Sequence, residues 1–243
     1  MKETTYKSPL YIQLREVLRT KIEDGEYLPG TQIPSENQLS EMYGISRLSV
    51  RSALQALVEE GVLTSIQGKG VFVTGNKFIG NLDTFGGYTH KRIVKGTEES
   101  IRIISKVRRQ AGSYYSILLN ILEETEIWFI SSLTLVDGKP NSLEEAYIPC
   151  DIVPNLDEVD LSVFSKYDMF CWNKHKPNVG EQTLKITKVD KVRANYLGIK
   201  PDKPILKFSY LIKESGGRVI EYSRNFVISD NAEFVVEFRN DEE

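Results

Sequence analysis

The sequence predicts an α+β protein in two parts, on three observations. Apolar residues recur at helical spacing through most of the first 60 positions. A short hairpin pattern with a glycine-rich tip closes that region. Beyond about residue 96, strand-like runs joined by Asp-Gly and Gly-Gly turns dominate, so the second part should be a mainly antiparallel sheet with helices. The chain has 243 residues, 40% of them hydrophobic, enough for two separate cores.

In the first helix Ser8 is expected as N-cap and Pro9 at the first helical position, where its missing N–H costs nothing. Leu10, Leu14, Val17, Leu18 and Ile22 then share one face, and Gly25 ends the run. "LPGTQIP" is a turn segment whose prolines block helix continuation. "SENQLSEMYG" opens with a capping-box pair, Ser35 and Gln38, and ends on Gly44. A third helix starts after the N-cap Ser46 and buries Val50, Ala53, Leu54 and Leu57. "VLTSI" and "VFVT" follow as β-prone runs joined by "QGKG". Helix, helix, short turn, helix and glycine-tipped hairpin is the order of a winged helix-turn-helix, assigned to residues 1–75. "GNKFIGNLDTFGGYTHKRIVKG" has no sustained period, and residues 76–95 read as linker and loop.

The remainder, 96–243, opens with strands in "SIRIISKVRR" and "EIWFISSLTLV". Asp137-Gly138 turns the latter into "PNSLEEAYIP". Short helices are expected around "LSVFSKYDMF" and "DKVRANYLGI", the second capped by Asp190. "PILKFSYLIKES" and "RVIEYSRNFVIS" form another hairpin, and "EFVVEF" a last strand.

Composition narrows the function. Lys plus Arg number 31 and Asp plus Glu 34, a net charge of −3, so no global basic field attracts a polyanion. Two cysteines without metal-type spacing and two histidines predict reduced thiols, no metal site and no cofactor. The N-terminus lacks an apolar signal core and no run is long enough to span a bilayer, so the expectation is a cytoplasmic protein without a membrane partner.

Against that background "GISRLSVRSALQALV", Gly44 to Val58, stands out because it contains no acid although 27% of the chain is charged. Arg47 and Arg51 lie one turn apart near the start of the third helix. Each can offer a bidentate fork to guanine O6 and N7, or to phosphate. Ser46 and Ser49 supply hydroxyls, and the helix N-terminus supplies unpaired N–H groups and partial positive charge. "QGKG" sets Lys69 between glycines on a narrow tip, with Gln67 beside it. Residues 1–75 carry eight Lys plus Arg against nine Asp plus Glu, so binding should be geometric rather than diffusely electrostatic.

Residues 9 to 73 resemble the DNA-binding domain of GntR-type bacterial transcription regulators through "PSE", "SR.SVR.AL..L..EG" and "G.G.FV". The resemblance implies that Ser46, Arg47, Ser49, Arg51, Gln67, Gly68 and Lys69 contact DNA. Asn37 falls where some relatives carry an arginine to phosphate or base. Residues 80 to 240 more loosely resemble the HutC branch, whose UTRA domain, similar to the chorismate-lyase fold, senses a small metabolite and pairs into dimers. Alternation along "IWFISSLTLV" puts Trp128, Ile130, Ser132 and Thr134 on one face. In sugar-phosphate-sensing relatives the positions of Ser132 and Thr134 hold arginines, and those of Val227 and Ile228 often hold Tyr and Arg. Their replacement predicts a neutral or polyhydroxylated effector, a sugar or related polar compound, bonded by Ser132, Thr134, Glu145, Glu221 and Asn225. "TFGGYTHK" is a candidate pocket lid, its glycines permitting movement, or equally an ordinary interdomain loop. Arg224 is expected on the opposite face.

The expectation is therefore a regulator, most simply a repressor, that binds a palindromic double-stranded operator as a homodimer under control of a small-molecule effector. An enzyme built on the second domain is the competing reading, but no nucleophile–base set or phosphate loop is legible. A winged helix that binds only protein is the other, and Lys69 with the acid-free helix speaks against it.

Overall fold

The computed structural model describes residues 9–75 and 99–228. The Ser8 cap, the 76–95 connection with "TFGGYTHK", and the "EFVVEF" strand lie outside the described residues. In chain order the elements are α1 (Leu10–Glu23), α2 (Glu36–Tyr43), α3 (Arg47–Glu59), β1 (Leu63–Ile66), β2 (Gly70–Val73), β3 (Glu99–Gln110), α4 (Gly112–Leu119), β4 (Glu126–Val136), β5 (Lys139–Pro149), α5 (Lys166–Trp172), β6 (Pro177–Thr187), α6 (Lys191–Leu197), β7 (Ile205–Glu214) and β8 (Val219–Val227). They divide between two compact units. One comprises Met1–Phe78 with Asn155–Trp172, the other Ile79–Pro154 with Asn173–Glu243.

In the first unit α1 begins one residue later than the sequence pattern suggests. Pro9 is the cap residue, with extended ψ 144, and its carbonyl accepts from the N–H groups of Ile12 and Gln13. α2 carries the expected capping box: the Ser35 hydroxyl accepts from the Gln38 N–H while the Gln38 side chain accepts from the Ser35 N–H. Gly44 ends it in the left-handed region, so the chain can turn at once into α3. Ser46 caps α3 by accepting from the Ser49 N–H. The core gathers Leu14 and Leu18 from α1, Leu39 from α2, Val50, Ala53, Leu54 and Leu57 from α3, and Leu63 and Val73 from the hairpin. Each fully buried Leu or Val stabilises by roughly 1.5–3 kcal/mol. That shared core fixes how α3 is presented.

The segment 155–172 belongs to this unit, although its sequence reads as part of the second domain. Phe164 meets Phe72 edge-on at 5.9 Å and Trp172 at 5.2 Å. Gly75 is needed where it packs on Trp172, because a Cβ there would lie 1.9 Å from the indole nitrogen.

The second unit is a six-stranded antiparallel sheet in the order β3-β4-β5-β8-β7-β6. Asp137 and Gly138, with φ 49 and 73, make the tight turn between β4 and β5. One face is covered by helices. Tyr115 and Leu119 of α4 pack on Ile127, Tyr147 and Tyr222, while Ala194 and Leu197 of α6 pack on Leu133, Leu143 and Phe226. The opposite face carries the polar positions considered below. Two elements escape the sequence reading, α4 and β6. "GSYYSILL" has no polar face to reveal a helical period, and β6 is an exposed edge strand with no buried alternation.

Candidate DNA-reading surface and effector face

The α3 cap places Arg47 and Arg51 one turn apart, and both are exposed. Ser46 and Ser49 share a hydrogen bond of 3.0 Å at the helix start. Leu48, which sequence reasoning passed over, is 74% exposed between them. The signal was an apolar residue off the helix's buried stripe. Gln67, Gly68 and Lys69 form the exposed tip of the β1–β2 hairpin, and Asn37 is exposed on α2. Gln32 steadies that tip by donating to the Lys69 carbonyl at 2.8 Å. Gly70 sits there at φ +122, a backbone conformation that a residue with a side chain adopts only under strain.

The helix carries no acid from Arg47 to Val58, yet α2 brings one to its exposed start. Arg51 donates to Glu36 from Nε at 3.0 Å and from Nη2 at 2.8 Å. The bond from Arg51, with the nearby Arg47, holds the Glu36 carboxyl below its usual range. The fifteen-residue gap between the partners concealed this pair. The wing lysine is also engaged: Lys69 donates to the hydroxyl of Ser162 and lies 3.9 Å from Asp160 Oδ2. Asp160 in turn accepts from the Ser162 N–H at 2.9 Å.

In the sheet, register decides which candidates meet. Ser132 pairs across β4–β5 with Glu144, and Glu144 across β5–β8 with Asn225. Thr134 pairs with Ser142. Opposite residues of antiparallel strands share a face, so Ser132, Thr134, Glu221 and Asn225 stand on one face, joined by Ser142, Glu144 and Ser223. Thr134, Glu221 and Asn225 are buried, and Ser132 is half-buried. Lys106 and Arg108 share this face on the edge strand β3. Arg108 lies over the Trp128 ring at 4.5 Å and donates to the Pro154 carbonyl at 3.0 Å.

Glu145 does not join this group, which corrects the sequence expectation. It pairs in register with Ser131 and Arg224, one residue out of phase, and points to the helix-covered face. There its carboxylate accepts from Arg193 of α6 at 2.7 and 3.0 Å and from Arg224 at 2.7 Å. Arg224, on the opposite face from Glu221 and Asn225 as alternation predicts, also donates to the Tyr147 hydroxyl at 2.8 Å. Burial raises the Tyr115 phenol in the same cluster far above its ordinary range. The bond to Glu145 raises Arg193 further. Two adjacent acids in "LEEAYIP" hid the choice. Of the two, Glu144 stands on the polar face beside Glu221.

A winged helix with a donor-bearing third helix, carried with a sheet bearing a buried polar face, defines the class: a DNA-binding regulator with a sensing domain. Residues 10–73 match the bacterial regulatory proteins of the gntR family, and residues 95–233 match the UTRA domain. The chain belongs to the gntR family of bacterial regulatory proteins, in the branch that carries a UTRA domain, and is a DNA-binding transcription regulator with an effector-binding domain.

Similar proteins include the "Probable fructoselysine utilization operon transcriptional repressor" of Escherichia coli K12, 28% identical over 89% of each chain. NagR, a transcriptional repressor of Bacillus subtilis 168, is 28% identical over 93% of each. The mannosyl-D-glycerate transport/metabolism system repressor MngR of E. coli K12 is 29% identical over 94% of this chain and 95% of its own. Among solved structures PhnF of Mycobacterium smegmatis has the same fold, with a TM-score of 0.59 at 20% identity over 95% of this chain and 99% of its own. Among the described residues no helix is long and apolar enough to cross a membrane.

Proposed function

We propose that the chain is a cytoplasmic repressor that binds a palindromic operator as a homodimer and responds to a sugar or related polar metabolite lacking a phosphate group. Residues 1–75 read the duplex and 96–243 sense the metabolite and dimerise, turning nothing over. The observation that carries the DNA half is the exposed α3 start, with Arg47 and Arg51 one turn apart beside a glycine-rich wing tip. Those arginines face base edges, and Ser46, Ser49, Asn37, Gln67, Gly68 and Lys69 position the backbone. Leu48 offers an apolar surface suited to a thymine methyl.

For the effector, the polar face supports a hydroxyl-rich ligand. Ser132 and Thr134 are donors and acceptors without charge, and Glu221 and Asn225 lie buried on the same face. Glu144 replaces Glu145 in this set. A phosphate would need arginine forks, and the cation-bearing strand there is β3, at the sheet edge. The names of two relatives, which mention fructoselysine and mannosyl-D-glycerate, favour a sugar-derived compound. The metabolite must bind one arrangement of the protein better than another. A tenfold change in operator affinity needs only about 1.4 kcal/mol of such coupling.

A thermal-shift panel of sugars, glycated amines and sugar phosphates on the full chain tests this reading. A ligand at a hundred times its Kd stabilises by about 2.7 kcal/mol. A non-phosphorylated hit should also change binding to a selected duplex. A response confined to sugar phosphates contradicts the proposal.

A further inference from the structure

Glu36 is a carboxylate on a surface meant for a polyanion, and its placement is built rather than accidental. It occupies the first turn of α2, after the Ser35 capping box, where the helix N-terminus favours an acid. From there both oxygens reach one edge of Arg51, Oε1 accepting from Nε and Oε2 from Nη2. Arg51 itself is 63% exposed, and Glu36 30%. As an isolated surface pair this would contribute little to stability, while a negative charge near phosphates weakens binding to any duplex.

We infer that Glu36 is a specificity-determining positioning residue that aims Arg51 at a guanine. The reading rests on the assignment of Arg51 to the DNA surface. A guanidinium has five N–H groups in a plane. Glu36 takes the Nε–H and one Nη2–H. What remains along the outer end is the second Nη2–H parallel to one Nη1–H, the fork that matches guanine O6 and N7. A carboxylate clamped to one edge thus removes the side chain's rotational freedom and leaves one recognition edge presented. Adenine offers an acceptor at N7 and a donor at N6, so the same fixed fork clashes with it. An unclamped arginine could swing to a phosphate and lose that discrimination.

The test uses the full chain and a duplex obtained by selection from random sequence. Binding is measured by fluorescence anisotropy to that duplex, to versions with each guanine changed to adenine, and to an unrelated duplex. Wild type, Glu36→Ala, Glu36→Gln, Arg51→Ala and Glu36→Ala/Arg51→Ala are compared. Circular dichroism melts identify any variant that misfolds, in which case the milder Glu36→Gln carries the comparison.

Glu36→Ala should lower the preference for guanine at one position by about tenfold while binding to the unrelated duplex holds or tightens. In the Arg51→Ala background the same change should have no effect on preference. If Glu36→Ala tightens all duplexes alike and leaves the preference intact, Glu36 is a surface charge and the inference is wrong. If Arg51→Ala leaves the preference unchanged, the assignment of Arg51 fails instead, and the inference falls with it.

Discussion

Glu145 shows how much one residue position matters in a sheet. Its side chain is 7% exposed and holds two arginines at once, Arg193 and Arg224, so it pins α6 to the sheet. Removing one partner from a buried ionic group costs about 3–5 kcal/mol, because the remaining charges stay desolvated. Glu145→Gln should therefore lower the melting temperature by several degrees or more without altering effector selectivity; calorimetry with the same ligand panel checks both. Asp190 adds a pH signature. The Arg193 N–H, then the guanidinium, hold its carboxyl below the ordinary range. Its contribution is complete above the unfolded carboxylate value and is lost as pH falls through the depressed one. Asp190→Ala should cost about 1 kcal/mol in urea unfolding at pH 7, with the gap closing in acid. Period-2 alternation placed Arg224 correctly on one strand, but it could not say which of two neighbouring acids faced Asn225. That needs the pairing register, which is set by the turn and bulges between strands.

At the level of elements, the winged helix was legible because each of its parts has a local cause. Caps at Ser35 and Ser46, the turn at Gly44 and the apolar stripe of α3 lie where the sequence puts them. What pattern could not show was contact between distant segments: Glu36 against Arg51, and Lys69 against Ser162 and Asp160. The second contact occupies a residue proposed to touch phosphate. Lys69 cannot hold both, so Asp160→Asn combined with Ser162→Ala should tighten binding to an unrelated duplex by about two- to fivefold, the reach of an exposed pair. Unchanged anisotropy would show that the contact does not compete with DNA. Leu48→Ala tests the other exposed feature of α3. It should weaken the selected duplex more than its uracil-for-thymine version, which lacks the methyl.

For the whole molecule, two domains in the expected order and an α+β class follow from hairpin turns and helical periods. The assignment of 155–172 to the first unit does not, because nothing local in "LSVFSKYDMF" reveals that Phe164 and Trp172 pack beside Phe72 and Gly75. The central claim is that α3 and the wing read duplex DNA. The most direct measurement is the affinity of the full chain for its selected duplex, with and without Arg47 and Arg51, over a range of salt. Replacing both by alanine should weaken that duplex by at least about thirtyfold and reduce the slope of log affinity against log salt. An undiminished affinity with the same protected bases would contradict the account at its root.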